Sequence, residues 1–128
     1  MEKIQFGNTD LMVSKVAMGG IPIMRLDMDS GVEVINEVLN MGINFIDTAH
    51  LYGNSEEKIG RAIKNHKREN LVLASKSPAP DKKTFLSHLN LSLERMGIDY
   101  IDIYQMHGVN SKAMMEKVTG GRWGLFRT

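Results

Sequence analysis

The sequence reads Gly42-Ile43-Asn44-Phe45-Ile46-Asp47-Thr48 and continues as Ala49-His50-Leu51-Tyr52-Gly53-Asn54-Ser55-Glu56. A compact apolar run that ends in a carboxylate is typical of a strand covered on both faces of a sheet. The loop that follows leads to a serine and acidic residues, which favour the start of a helix. This stretch predicts a strand over residues 43–48, then a loop that carries Tyr52, then a helix.

Three further elements are predicted on the amino-terminal side. Residues 4–6 and 11–13 are short apolar runs around a turn-forming segment, which indicates a β-hairpin. Residues 16–20 form an apolar run that ends in two glycines and predict a short buried strand. Asp29 or Ser30 is the predicted cap of a helix with apolar positions at helical spacing. These positions are Val34, Ile35, Val38 and Leu39.

The alternation of strand and helix repeats on the carboxyl-terminal side. Residues 71–75 predict a third strand, and Asp81 predicts the cap of a helix that ends at Gly97. Residues 101–106 predict a fourth strand. Along the intervening helix, apolar residues step by three or four positions at Phe85, Leu89, Leu93 and Met96.

This alternation predicts parallel strands joined by right-handed crossovers. An open doubly wound sheet and a (β/α) barrel both satisfy it. A doubly wound sheet usually carries a glycine-rich phosphate loop after its first strand, and neither G-x-G-x-x-G nor a Walker sequence occurs here. We therefore predict an α/β fold, a partial (β/α)8 TIM barrel of about four βα units preceded by an amino-terminal β-hairpin. Residues 1–128 are expected to form a single domain.

The composition limits the possible functions. Of 128 residues, 42% are hydrophobic and 24% charged, as in an ordinary globular domain. Sixteen basic residues against 15 acidic ones indicate neither a nucleic-acid nor a membrane partner. The absence of cysteine excludes disulfides, thiolate zinc sites and cysteine-bound iron-sulfur clusters. Without an apolar leader or an apolar run of about 18 residues, a cytoplasmic location is expected.

Four polar side chains carry the functional prediction. Asp47, Lys76 and His107 each lie at or just past the carboxyl end of a predicted strand, and Tyr52 follows in the loop after Asp47. In a (β/α) barrel these strand ends converge on one face, where active sites are built. Each residue alone has an ordinary structural interpretation in a loop, a packed ring or a strand end. Their positions after successive strands favour a shared site.

The four side chains suit the reduction of a carbonyl group. An ammonium favours the ionised form of a nearby phenol, so Lys76 is expected to activate Tyr52. A buried ammonium needs a counter-charge, which Asp47 is placed to supply. His107 can hydrogen-bond the oxygen of a bound carbonyl and orient it. Since none of the four can supply hydride, a nicotinamide cofactor is implied.

Three motifs in the correct order resemble the aldo-keto reductase family. They are residues 42–56, quoted above, then Leu73-Ala74-Ser75-Lys76, then Leu93-Glu94-Arg95-Met96-Gly97-Ile98-Asp99-Tyr100-Ile101-Asp102-Ile103-Tyr104-Gln105-Met106-His107. The resemblance extends over nearly all of residues 1–121. The opening hairpin resembles the one that plugs the barrel floor in that family.

The resemblance implies reduction of aldehydes or ketones, as small-molecule substrates, with NADP(H), and with NAD(H) as the alternative. It implies that Tyr52 donates the proton and that Lys76 and Asp47 activate it. It also implies that His107 orients the substrate. The cofactor-binding positions that it implies are Gly20, Ile21 and Asp47.

Two features depart from the family pattern. A complete barrel of this kind has about 250 residues, so the sequence is expected to be truncated, without the half that holds most of the cofactor. Residues 122–128 form an atypical tail, because Arg122, Trp123 and Gly124 do not suit the helix that the family has there. We expect an interruption of the reading frame near Gly121. Self-association through exposed sheet edges is also expected.

Two alternative functions stay open. The expected truncation fits a non-catalytic half-barrel remnant or subunit-binding module, in which case the chain is weakly active or inactive. A metal-assisted hydrolase on another barrel is the second alternative. No metal site is predicted, however, because the histidines show no ligand spacing on a shared helix or strand. They are His50, His66, His88 and His107.

Overall fold

The computed structural model describes residues 1–119, and the tail predicted at residues 122–128 lies outside this range. The strands are β1 (Lys3–Gln5), β2 (Met12–Ser14), β3 (Met18–Gly19), β4 (Phe45–Asp47), β5 (Val72–Ser77) and β6 (Ile103–Met106). The helices are α1 (Met28–Asn40), α2 (Ser55–Ile63), α3 (Lys82–Met96) and α4 (Lys112–Thr119). Short 3-10 turns span Pro22–Arg25 and Arg68–Asn70. No helix within residues 1–119 is long and apolar enough to cross a membrane.

Four strands form one parallel sheet in the order β3-β4-β5-β6. Its register places Met18 opposite Ile46, Ile46 opposite Leu73, and Ala74 opposite Ile103. A helix follows each strand, and each crossover leads to the adjacent strand without a reversal of order. This is the topology of a (β/α) barrel rather than of a doubly wound sheet. The predicted partial barrel, with four βα units after a hairpin, is confirmed; the single-domain organisation of residues 1–128 stays a prediction.

The first strand of the parallel sheet is shorter than predicted. Only Met18 and Gly19 of the predicted residues 16–20 pair with a neighbouring strand. Val16 is 54% exposed. Val16 and Ala17 have no ladder partner within the described part of the chain, and both are exposed.

The predicted N-cap residue was wrong for α1 and right for α3. Asp27, and not Asp29 or Ser30, caps α1, so that prediction was wrong. Asp27 Oδ1 accepts the Ser30 backbone N–H at 2.9 Å, and the Ser30 hydroxyl donates to Asp27 Oδ2 at 2.7 Å. The hydroxyl therefore supports the cap from inside the first turn. Asp81 caps α3 as predicted, and Gly97 ends it in the left-handed conformation with φ of 63°.

Side chains alternate between the two faces of the parallel sheet. The outer face packs against the helices, and burial of each large apolar side chain there contributes about 1.5–3 kcal/mol. The core cluster includes Met18, Ile35, Ile46, Ile59, Leu73 and Met96. By the same alternation, the inner face of the barrel carries Phe45, Asp47, Val72, Ala74, Lys76, Ile103 and Gln105.

The hairpin of β1 and β2 packs at the amino-terminal end of β4. Asn44, which directly precedes β4, accepts the Ser14 N–H at 2.7 Å and donates to the Met12 carbonyl at 2.9 Å. The ring of Phe6 meets the ring of Phe45 edge-on, with 5.5 Å between centroids. The hairpin thus lies at the opposite end of the sheet from the strand carboxyl ends and leaves that end open.

Candidate active site

The carboxyl ends of β4, β5 and β6 bring three of the predicted side chains to one rim. Asp47 is the last residue of β4, Lys76 lies next to the end of β5, and His107 directly follows β6. Asp47 is opposite Ala74 in the register, and Lys76 is opposite Gln105. Asp47 and Lys76 therefore point to the same inner face. Parallel strand direction is the reason that positions far apart in the sequence meet here.

Lys76 forms a short ion pair with Asp47. The Lys76 Nζ lies 2.5 Å from Asp47 Oδ2 and also donates to the Thr48 carbonyl at 2.8 Å. The side chains of Lys76 and Asp47 are 14% and 38% exposed, so the pair lies at the rim rather than deep in the sheet. The second oxygen of Asp47 accepts Gln105 Nε2 at 3.4 Å. The ammonium is thus held by one carboxylate and one carbonyl oxygen.

Tyr52 lies against this ion pair. The Lys76 Nζ is positioned over the Tyr52 ring, 5.2 Å from its centroid, in a cation-π arrangement. The loop is tight, because the Tyr52 N–H donates to the Ala49 carbonyl at 3.0 Å and the Ser55 N–H donates to the Tyr52 carbonyl at 2.9 Å. Within residues 1–119 the Lys76 ammonium makes its hydrogen bonds to Asp47 and Thr48, and none to the Tyr52 hydroxyl.

His107 completes the group. Its ring stands edge-on to the Tyr52 ring, with 5.6 Å between centroids and 88° between planes. Its backbone N–H donates to the Ser77 carbonyl at 2.9 Å and so continues the β5–β6 ladder past the end of β6. The ring Nδ1 is buried and has no hydrogen-bond partner in the described part of the chain. Such an unsatisfied nitrogen is uncommon in proteins and is a candidate for a ligand contact.

Of the predicted cofactor positions, Gly20 lies directly beside Asp47. The Gly20 N–H donates to the Asp47 carbonyl at 2.7 Å. A Cβ at Gly20 would lie 2.7 Å from Ser55 Oγ and 2.8 Å from Thr48 Oγ1, so the position has no room for a side chain. Ile21 follows with a side chain that is 52% exposed. The structure therefore brings Gly20 into the group and leaves Ile21 at its solvent side.

Several polar side chains near the group were not predicted. Gln105, which donates to Asp47, could have been found by strand alternation, because it lies two residues before His107. Glu56 is buried and accepts the Ser75 hydroxyl at 2.7 Å. Lys58 is completely buried. Because it lies among charged residues at the start of a helix, the sequence pattern indicates an exposed side chain instead. No local pattern indicates the burial of a charged side chain.

The remaining histidines lie outside this group. The rings of His50 and His88 stack with 3.8 Å between centroids and 8° between planes. Burial, and secondarily the nearby His88 and Arg95, lower the pKa of His50. Within residues 1–119 no cluster of three or more histidine, cysteine or acidic side chains could hold a metal ion.

Comparison with known proteins identifies the family. A sequence model of the aldo/keto reductase family matches residues 15–120. The NADH-specific methylglyoxal reductase of Escherichia coli is 34% identical over 136 aligned positions, which cover 84% of this chain and 42% of that protein. The holo form of aldo-keto reductase AKR11C1 from Bacillus halodurans superposes with a TM-score of 0.80 at 32% identity, over 92% of this chain and 44% of that one.

A third similar protein is the aldo-keto reductase AKR2E4 of Bombyx mori in complex with NADP, with a TM-score of 0.68 at 26% identity over 80% of this chain and 36% of that one. The chain belongs to the aldo/keto reductase family. It spans less than half of the length of each of these three relatives. The family resemblance inferred from the three sequence motifs is confirmed.

Proposed function

We propose that the chain provides the proton-transfer residues of an oxidoreductase that reduces aldehydes or ketones to alcohols with a nicotinamide cofactor. The observation that supports this most is the Lys76–Asp47 ion pair against the Tyr52 ring, with His107 at the ring edge. Carbonyl reduction adds a hydride to the carbon and a proton to the oxygen. The four side chains suit the second of these transfers.

Tyr52 is the proposed proton donor. Its O–H bond breaks as the carbonyl oxygen takes the proton, and the Lys76 ammonium stabilises the phenolate that remains. Asp47 holds that ammonium in place through the ion pair. His107, which has a ring nitrogen without a partner in the described residues, is proposed to hydrogen-bond the carbonyl oxygen and orient it.

The proposed cofactor is NADP(H), with NAD(H) as the alternative. When bound, the reduced nicotinamide supplies the hydride. The Escherichia coli relative is named as NADH-specific and the Bombyx mori relative is in complex with NADP, which supports a nicotinamide cofactor without choosing between the two forms. The closely packed backbone of Gly20 next to Asp47 supports the proposal that Gly20, Ile21 and Asp47 border the cofactor.

The second candidate function is that of a non-catalytic half-barrel that binds another subunit. Within the described residues β3 and β6 each pair with one strand only, so each presents an edge without a ladder partner. Such edges bind other strands, which supports self-association.

The cytoplasmic location stays a prediction.

Titration of NADPH fluorescence with the purified chain, followed by turnover of a small aldehyde, tests the leading proposal. We expect saturable cofactor binding, and we expect Tyr52→Phe to reduce turnover by about 100- to 10,000-fold, the usual contribution of a positioned acid. Cofactor affinity should stay within about twofold, because the substitution removes one hydroxyl and no ring contact.

Tyr100→Phe is the matched control, since Tyr100 is 46% exposed and lies away from the strand ends, with Arg68 over its ring. This variant should retain wild-type turnover. Wild-type turnover in Tyr52→Phe would contradict the proposal that Tyr52 is the proton donor. Absence of saturable binding at millimolar NADPH would instead favour the binding module.

A further inference from the structure

Lys58 of α2 is a lysine without exposed surface, and its three ammonium protons all have acceptors. Its Nζ donates to the Ile23 carbonyl, to the Leu26 carbonyl and to Asn54 Oδ1, each at 2.7 Å. The residue as a whole is 0% exposed. A primary ammonium has three donor protons, so its hydrogen-bonding capacity is fully used.

The acceptors of Lys58 are all uncharged oxygens. Within residues 1–119 no carboxylate lies within ion-pair distance of its Nζ. Burial of a charge without a counter-charge is unfavourable. Stability alone therefore does not explain why this residue is a lysine. The hydrogen bonds that it makes to the loops do explain it.

A glycine in α1 leaves the space that the Lys58 side chain occupies. A Cβ at Gly31 would lie 2.6 Å from Lys58 Cδ and 2.9 Å from Lys58 Cε. The missing side chain at Gly31 thus leaves the space between α1 and α2 through which the lysine stem passes. Two helices contribute to placing one ammonium beneath the loops.

The acceptors belong to two different loops at the carboxyl-end rim. Ile23 and Leu26 lie in the loop from β3 to α1, which begins at Gly20 beside Asp47. Asn54 ends the loop from β4 to α2, which carries Tyr52. The two loops also lie close together, since a Cβ built at Gly53 would be within van der Waals distance of Met24 Cε, at 3.8 Å.

We propose that Lys58 is a positioning residue that fastens the loop of residues 20–27 to the loop of residues 49–54 and thereby fixes the Tyr52 ring against Lys76. This inference rests on the proposed function of Tyr52. Lys58 itself is buried beneath the loops and acts through Asn54 and the two backbone carbonyls.

Two variants of the full chain test the proposal. Lys58→Met keeps an unbranched stem and removes all three hydrogen bonds. Asn54→Ala removes only the bond to the Tyr52 loop, from a residue that is itself exposed, and is the variant expected to fold without difficulty. Their matched controls are Lys64→Met and Asn90→Ala, which replace exposed residues of the same types.

Amide hydrogen exchange is the first measurement because it needs no activity. In Lys58→Met we expect exchange in residues 20–27 and 49–54 to accelerate roughly tenfold, and in Asn54→Ala we expect this in residues 49–54, as the loss of buried hydrogen bonds predicts. Residues 72–77 of β5 should exchange as in the wild type in both variants. The controls should match the wild type throughout. Unchanged exchange in both loops, or an equal acceleration across the whole chain, would overturn the proposal.

Reductase kinetics are the second measurement. Misplacement of Tyr52 should lower kcat in Asn54→Ala while KM changes little, because the loop displaces the proton donor and not the substrate pocket as a whole. A rise in KM with unchanged kcat would contradict the positioning role. If Lys58→Met does not fold, Asn54→Ala decides the outcome. If the wild-type chain lacks reductase activity, the proposed function fails, and the exchange result still decides whether Lys58 joins the loops.

Discussion

Gly20 illustrates how tightly single residues are packed at the strand ends. The hydroxyls of Thr48 and Ser55, which it faces, are both buried and lie 2.9 Å from each other. We expect Gly20→Ala to lower the free energy of unfolding by about 1–3 kcal/mol, because the methyl group would force these hydroxyls and the adjoining backbone apart. Unfolding in urea, followed by circular dichroism, measures the change.

Gly19→Ala provides the control for this substitution, since a Cβ at Gly19 has no neighbour within 4 Å. Its free energy of unfolding should stay within about 1 kcal/mol of the wild type. The steric explanation would be wrong if the two alanine variants were equally stable.

Among the secondary-structure elements, α3 is joined to the loop after β4 by the stacked rings of His50 and His88. The His50 N–H also donates to the Lys76 carbonyl at 3.0 Å. The charged side chains that face His50 are Arg95 from α3 and Glu56 from α2. Burial is the main reason that the pKa of His50 lies below its ordinary value of 6.5, so the folded chain favours the neutral ring.

This contact should make stability depend on pH. Because the pKa of His50 is lower in the folded chain than in the unfolded chain, the unfolded chain binds more protons under mildly acidic conditions. The contribution to stability is complete above about pH 6.5 and is lost as the pH falls through the lowered pKa. We expect the free energy of unfolding to fall more steeply between about pH 7 and about pH 5 in the wild type than in His50→Gln.

Denaturant unfolding at several pH values makes this comparison, with His66→Gln as the control. His66 lies outside the stack, in the turn after α2, so its variant should keep the wild-type slope. Indistinguishable slopes for all three proteins would show that the stacked pair contributes nothing to acid sensitivity.

For the molecule as a whole, the arrangement of the sheet predicts self-association. β3 and β6 lie at its two edges within the described residues, and each of them pairs with one neighbouring strand only. Unpaired strand edges favour contact with another chain. Sedimentation velocity over a series of micromolar concentrations should show dimers or larger species whose fraction rises with concentration. A single monomeric species across the series would contradict the prediction.

The order of elements and most of their ends follow from short-range patterns in the sequence. Asp81 and Gly97 delimit α3 as predicted, because a side-chain cap and a left-handed glycine each act within one helical turn. Asp47, Lys76 and His107 were identified for a related reason: each lies at or next to the end of a recognisable strand, and parallel strands bring their carboxyl ends together. The cap of α1 was misassigned because Asp27, Asp29 and Ser30 all have suitable side chains within four positions, and only the backbone conformation distinguishes them.

Local periodicity thus determined the succession of strands and helices and the rim on which the proposed site lies. The partners of the polar side chains were decided by the tertiary structure alone. Lys58 reaches a carbonyl 35 positions away, and Gln105 reaches Asp47 over a separation of 58 positions. The physical reason is that hydrophobic spacing reports which face of an element is covered, whereas the atom that a buried ammonium or amide meets depends on strand register and on how closely two helices approach.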